Sequence, residues 1–133
     1  MAVLVWIEQV NGEPVASSWE TLGAAKTAAE ALGAPVYALV LGDETDTIAA
    51  RAQTLGIDRV LTMADPQLAD YRLSAYAAAV EQAVAAAGAT VLMMAATTRG
   101  RELSGTVACR LGAGLAPDIV DLRVEAGKLV AVR

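Results

Sequence analysis

Short apolar runs alternate along this chain with stretches whose apolar residues recur at helical spacing. Ala2 to Gln9 reads as a first strand, and Asn11-Gly12-Glu13-Pro14 as a turn, since Asn-Gly tolerates positive φ and Pro fixes the chain beyond it. Ser17-Ser18-Trp19-Glu20 has the form of a capping box opening a helix, with Trp19, Leu22, Ala25, Ala29 and Leu32 on one face and Gly33 as its stop. Pro35 to Leu41 is a second strand, apolar on both faces. Gly42-Asp43-Glu44-Thr45 then opens a helix carrying Ile48, Ala52 and Leu55 and closed by Gly56.

The alternation continues. Arg59 to Met63 is a short third strand, and Ala64-Asp65-Pro66 breaks the chain. A helix follows with Leu73, Ala77, Val80 and Val84 inward, stopped at Gly88. Thr90 to Ala96 is a fourth strand, expected to be the central and most buried one. The last helix carries Leu103, Val107 and Leu111 and ends at Gly112 or Gly114. Ala116-Pro117-Asp118 leads into Ile119 to Val124, a turn at Glu125-Ala126-Gly127, and Leu129 to Val132.

Wholly apolar strands alternating with amphipathic helices predict an α/β fold: three layers, a mostly parallel nucleotide-binding-type sheet (adenine nucleotide α-hydrolase-like), and helices on both faces. The closing strand pair has no helix between its members, so it is expected to add a hairpin and make the sheet mixed at its end. With 133 residues and no linker, the whole span 1–133 reads as one domain.

Composition narrows the function. Apolar residues make up 56%, yet Phe is absent and aromatics are 4%, so the core must be aliphatic. The charged share of 19% is too high, beside that hydrophobicity, for disorder. A net charge of −5 speaks against a nucleic-acid footprint. No histidine is present, which excludes Ser-His triads and His-containing metal sites. The longest uncharged run, Gln82 to Thr98, is interrupted by Gly88 and falls short of a membrane span. The N-terminus lacks a basic start and a cleavage site, and the single Cys109 fits a reducing compartment, so the expected location is cytoplasmic.

In open parallel sheets ligands bind beyond the carboxyl ends of the strands, where helix N-termini present free N–H groups. The most informative loop there is Thr97-Thr98-Arg99-Gly100-Arg101. Two hydroxyls, two guanidiniums and a glycine could hold a phosphate or a partner's carboxylate. The simpler reading, which the residues alone favour, is that Thr97 or Thr98 caps the helix while the arginines pair with surface acids such as Glu102. The glycines at 100, 105, 112 and 114 complete neither a dinucleotide fingerprint nor a P-loop. Gly105 is expected to allow close helix packing, Cys109 to be a buried small hydrophobe, and Met93 and Met94 to fill core. By residue chemistry alone nothing here is catalytic.

Leu4-Val5-Trp6-Ile7-Glu8-Gln9-Val10-Asn11-Gly12 resembles the strand, acidic residue and Asn-Gly loop that open electron-transfer flavoprotein α subunits. Glu20 to Leu32 resembles that family's first, Ala-rich helix. Ala95 to Arg101, followed by Val107 to Gly112 and Ala116-Pro117-Asp118-Ile119, is the most specific match. The resemblance is to the N-terminal domain of the α subunit and covers essentially the whole chain. It implies an electron carrier, not an enzyme, that takes electrons from flavin dehydrogenases through FAD and pairs with a β subunit. In that family most FAD contacts lie in a C-terminal domain, so the chain is expected to be truncated before it and to hold no FAD or AMP alone. Two other readings share the broad fold. A stand-alone nucleotide-binding module of the universal-stress-protein kind would need a glycine-rich phosphate loop, whose spacing Thr97 to Gly114 lacks. A pyrophosphate-forming ligase would need a Gly/Ser-rich loop after the first strand, which Val10-Asn11-Gly12-Glu13 does not supply.

Overall fold

The computed structural model of the protein describes residues 1–132. Four strands form a parallel sheet: β1 (Ala2–Ile7), β4 (Val36–Gly42), β5 (Arg59–Ala64) and β6 (Ala89–Met93), in the order β5-β4-β1-β6. Two further strands, β2 (Gln9–Val10) and β3 (Glu13–Pro14), make a small hairpin whose Asn11 and Gly12 have φ of 53° and 81°. Positive φ at both central residues is the two-residue turn that Asn-Gly favours.

Alternation along each strand sorts the core into two layers. Val3, Val5 and Ile7 of β1 and Val36, Ala38 and Val40 of β4 pack under helices α1 (Ala16–Leu32) and α2 (Asp46–Gln53). Leu4 and Trp6, with Leu39 and Leu41, pack under α3 (Leu73–Ala87) and α4 (Thr98–Leu111). The expected three-layer α/β architecture is therefore observed. Glycines 33, 88 and 112 end α1, α3 and α4 in the left-handed conformation, as the sequence suggests.

Several expectations need correction. The central strand is β1, all six of whose residues are buried, whereas β6 lies at the edge of the sheet and is only half-buried. An apolar run reports that both faces are covered; it says nothing about lateral position. The capping box does not form: α1 starts at Ala16 with Val15 as an N-cap that contributes no side-chain bond. The Ser18 hydroxyl is instead wholly buried and accepts from the Glu8 backbone N–H at 3.0 Å. That N–H, left over where β1 stops, needs a partner once buried.

The closing pair β7 (Asp121–Glu125) and β8 (Lys128–Val132) does not join the main sheet. It forms a separate antiparallel pair that rests against α1. Cys109 is exposed, because the buried stripe of α4 runs through Gly100, Leu103 and Val107, and Cys109 is turned about 200° from Val107. A side chain at Gly105 would meet nothing, so that glycine serves no close packing. Leu55 and Leu111 are also exposed. Met93 and Met94, half-buried, pack against opposite core layers.

Candidate functional site at the carboxyl edge of the sheet

From β1 the chain winds outward through β4 to β5, then returns to place β6 on the other side of β1. The order reverses between β1 and β6, and in open α/β sheets a ligand crevice lies at this position, beyond the carboxyl ends of the strands. Glu8 follows β1 and Thr97 precedes α4 after β6, so these two residues face each other across the reversal.

They are bonded there. The Thr97 hydroxyl donates to Glu8 Oε1, and Thr97 Oγ1 accepts from the Gly100 N–H at 2.9 Å, which makes Thr97 the N-cap of α4. The Glu8 N–H donates to Ser18 in the first turn of α1, and the Glu8 carbonyl accepts from the Val15 N–H at 2.9 Å. Glu8 is only 5% exposed. One buried acid thus ties together the end of β1 and the N-terminal turns of two helices. Gln9 extends the tie: its amide donates to the Leu41 carbonyl at 3.3 Å and accepts from the Gly12 N–H at 2.7 Å. The four buried polar residues identified, Glu8, Gln9, Ser18 and Thr45, all lie in the segments that follow β1 and β4 on this edge.

The five candidate residues separate into distinct roles. Thr97 is the helix cap, and Thr98 is exposed. Gly100 is buried, and a Cβ there would run into the Ala95 carbonyl oxygen, so glycine is required by close backbone approach. Arg101, exposed, pairs with Asp118 at 3.0 Å. The Arg99 guanidinium lies 5.2 Å from the centre of the Tyr71 ring. Glu102, named above as an acid for the arginines, instead accepts from the Tyr71 hydroxyl at 2.8 Å.

Behind Arg99 sits an aromatic cluster that the sequence pattern did not reveal. Tyr71 and Tyr76 meet edge-on with centroids 5.1 Å apart, and Trp6 approaches Tyr76 at 6.1 Å in the same manner. Burial, reinforced by the bond to Glu102, pushes the Tyr71 phenol far above the ordinary tyrosine range, and burial raises Tyr76 as well. Trp6 Nε1 is the one buried side-chain polar atom without a partner among the described residues. Glu8 and Tyr71 were thus missed as site residues. The available signal for Glu8 was a lone acid closing an otherwise apolar strand; Tyr71 has none, because its contacts span 31 residues to Glu102.

Two grooves flank the free edge of β6. One, about 620 Å³, lies between α1 and the start of α4 and includes Glu20, Thr21, Met94, Arg101, Asp118 and Val120. The other, about 520 Å³ and largely apolar, lies on the α3–α4 side and reaches Leu122 and Leu129 of the hairpin. No group of three or more Cys, Asp or Glu side chains among the described residues could hold a metal ion.

A family model described as the electron transfer flavoprotein domain matches residues 3–133. The chain belongs to the electron transfer flavoprotein domain family. It is 41% identical to the protein FixB of Azorhizobium caulinodans over 98% of this chain and 37% of that protein. It is 35% identical to the electron transfer flavoprotein subunit alpha of Clostridium acetobutylicum, over 98% of this chain and 40% of the relative. It is 29% identical to the subunit LctC of an NAD- and ferredoxin-dependent lactate dehydrogenase of Acetobacterium woodii, over 98% of this chain and 32% of the relative. The chain therefore spans well under half the length of these relatives. These matches bear out the resemblance to the N-terminal domain of an electron transfer flavoprotein α subunit, and they identify an electron transfer flavoprotein subunit. They do not favour the universal-stress-protein reading. Among the described residues, no helix is long and apolar enough to cross a membrane.

Proposed function

We propose that this electron transfer flavoprotein domain is the partner-facing, non-catalytic part of an α subunit that pairs with a β subunit in a two-subunit electron carrier. The complete protein accepts electrons from dehydrogenases through FAD, and the FAD contacts lie chiefly outside residues 1–133. The observation that carries this reading is the similarity to α-subunit relatives across 98% of the chain. The name of the lactate dehydrogenase relative supports an electron source of the dehydrogenase class.

In this proposal the loop Thr97 to Arg101 supports assembly. It stands at the ligand edge of the sheet, held by the Thr97 helix cap, with Arg99 and Arg101 in its first turn. The half-buried β6 edge, together with exposed Leu115 and Val120, gives the same side of the molecule apolar surface for a neighbouring domain or subunit. The test compares residues 1–133 alone with a complete α subunit containing them, the latter purified together with its β subunit. The expected result is a flavin spectrum after gel filtration for the pair and a colourless isolated domain. Stoichiometric flavin on the isolated domain would contradict the proposal.

A further inference from the structure

We infer that Glu8 is a built-in anion that closes the carboxyl edge of this sheet to phosphate, making it the residue that sets ligand specificity at the fold's usual binding position. The crevice at the strand-order reversal is where a sheet of this class offers helix N-termini to a phosphate group. Here a carboxylate of the protein already stands in it. Gly100 N–H donates to Thr97 Oγ1, and Thr97 donates in turn to Glu8 Oε1, so the positive end of α4 is directed onto Glu8 through one hydroxyl. The start of α1 is tied to the backbone of the same residue through Ser18 and Val15. Glu8 is 5% exposed, so its carboxylate is enclosed at the crevice.

A second, independent observation points the same way. β4 and β5 also run directly into acids: Asp43 follows Gly42, and Asp65 follows Ala64. Asp43 Oδ1 accepts from the Glu44 N–H at 3.0 Å, and Asp65 Oδ1 accepts from the Gln67 N–H at 2.8 Å. Three adjacent strands, β5, β4 and β1, therefore each run into an acid at this edge, Glu8 buried and Asp43 and Asp65 exposed. Of the nearby cations, Arg101 is paired with Asp118 and Arg99 lies over the Tyr71 ring.

The test is independent of subunit pairing and so separates this inference from the proposed function. Residues 1–133 are titrated with inorganic phosphate and with AMP, read by calorimetry and by amide shifts of Thr97 to Arg101. The Glu8→Gln variant keeps an acceptor for the Thr97 hydroxyl and removes the charge, and a Glu8→Gln/Asp43→Asn/Asp65→Asn variant removes all three. Circular dichroism and melting confirm that each is folded. The wild type is expected to show no saturable binding at millimolar ligand. Glu8→Gln should gain affinity for phosphate by about tenfold or more, with shifts centred on Gly100, and the triple variant should gain further. If Glu8→Gln fails to fold, Glu8→Ala, which leaves space in the crevice, takes its place with the same expected gain. Wild-type binding equal to that of the variants would overturn the inference, as would folded variants with no gain.

Discussion

β1 and the β7–β8 hairpin are both built from short segments rich in Val and Leu, yet they end in opposite surroundings. β1 has no polar residue, lies between two parallel neighbours and is buried on both faces. In β7 and β8, polar residues such as Asp121, Arg123, Glu125 and Lys128 interrupt the apolar ones, no residue is fully buried, and the pair forms a sheet of its own. An unbroken apolar run marks a strand covered twice, whereas a run broken by charges marks one covered once. The comparison separates the central strands, which hold the fold, from a half-buried hairpin that rests against α1 and adds little to the core.

If that division is right, the largest loss comes from the centre. Leu4→Ala, at a wholly buried position of β1, should cost about 2–5 kcal/mol, read as a lower midpoint in urea unfolding. Gly100→Ala should cost about 1–3 kcal/mol, because the new methyl meets the Ala95 carbonyl and must push the loop outward. The same change should broaden the amide signals of Thr97 to Arg101. Removing residues 119–133 should cost less, about 1–2 kcal/mol, since only half-buried side chains such as Leu122 and Leu129 are lost. A loss as large as that of Leu4→Ala would break the comparison and make the hairpin part of the core.

A smaller effect appears only in alkali. The Tyr71 phenol ionises less readily in the folded protein because burial and the bond to Glu102 favour its neutral form. Its contribution is therefore fully present below the ordinary tyrosine range, about pH 10, and is lost as pH rises from there toward the raised folded value. Tyr71→Phe should melt like the wild type near neutrality apart from a small constant offset. Its stability should fall less steeply above about pH 10. Parallel curves for the two proteins would show that Tyr71 does not carry this dependence.

Much of the fold was legible because periodicity and helix stops are local: Leu22, Ala25 and Ala29 of α1, and the glycines at 33, 88 and 112, lie where spacing places them. What escaped was set by distant contacts. No local pattern distinguishes an edge strand from a central one when both are apolar, so Val91 to Met94 read as the middle of the sheet. Ser17 to Glu20 fit a capping box by sequence alone, and only the arrival of Glu8, ten residues from Ser18, gives the Ser18 hydroxyl its partner. The site was legible as a loop but not as a mechanism. Thr97 and Gly100 stood out by residue type, whereas the acid that holds Thr97 lies 89 residues earlier. The pairing of Arg101 with Asp118 likewise depends on how the segment after α4 turns back.

The central proposal, that Arg99 and Arg101 on the carboxyl edge serve assembly and not folding, is tested most directly by Arg99→Ala/Arg101→Ala measured in two settings. In the isolated domain the Arg101–Asp118 pair is solvent-facing and Arg99 is half-buried over Tyr71, so the double change should cost no more than about 0–1 kcal/mol for each, seen as a small shift in melting temperature. In the complete α subunit paired with its β subunit, the same change should weaken association or flavin retention by about 1.5–3 kcal/mol, the range for charge-assisted bonds removed from water. The account predicts a nearly unchanged domain and a weakened pair. A domain that loses its fold, or a pair whose association and FAD content are unchanged, would contradict it.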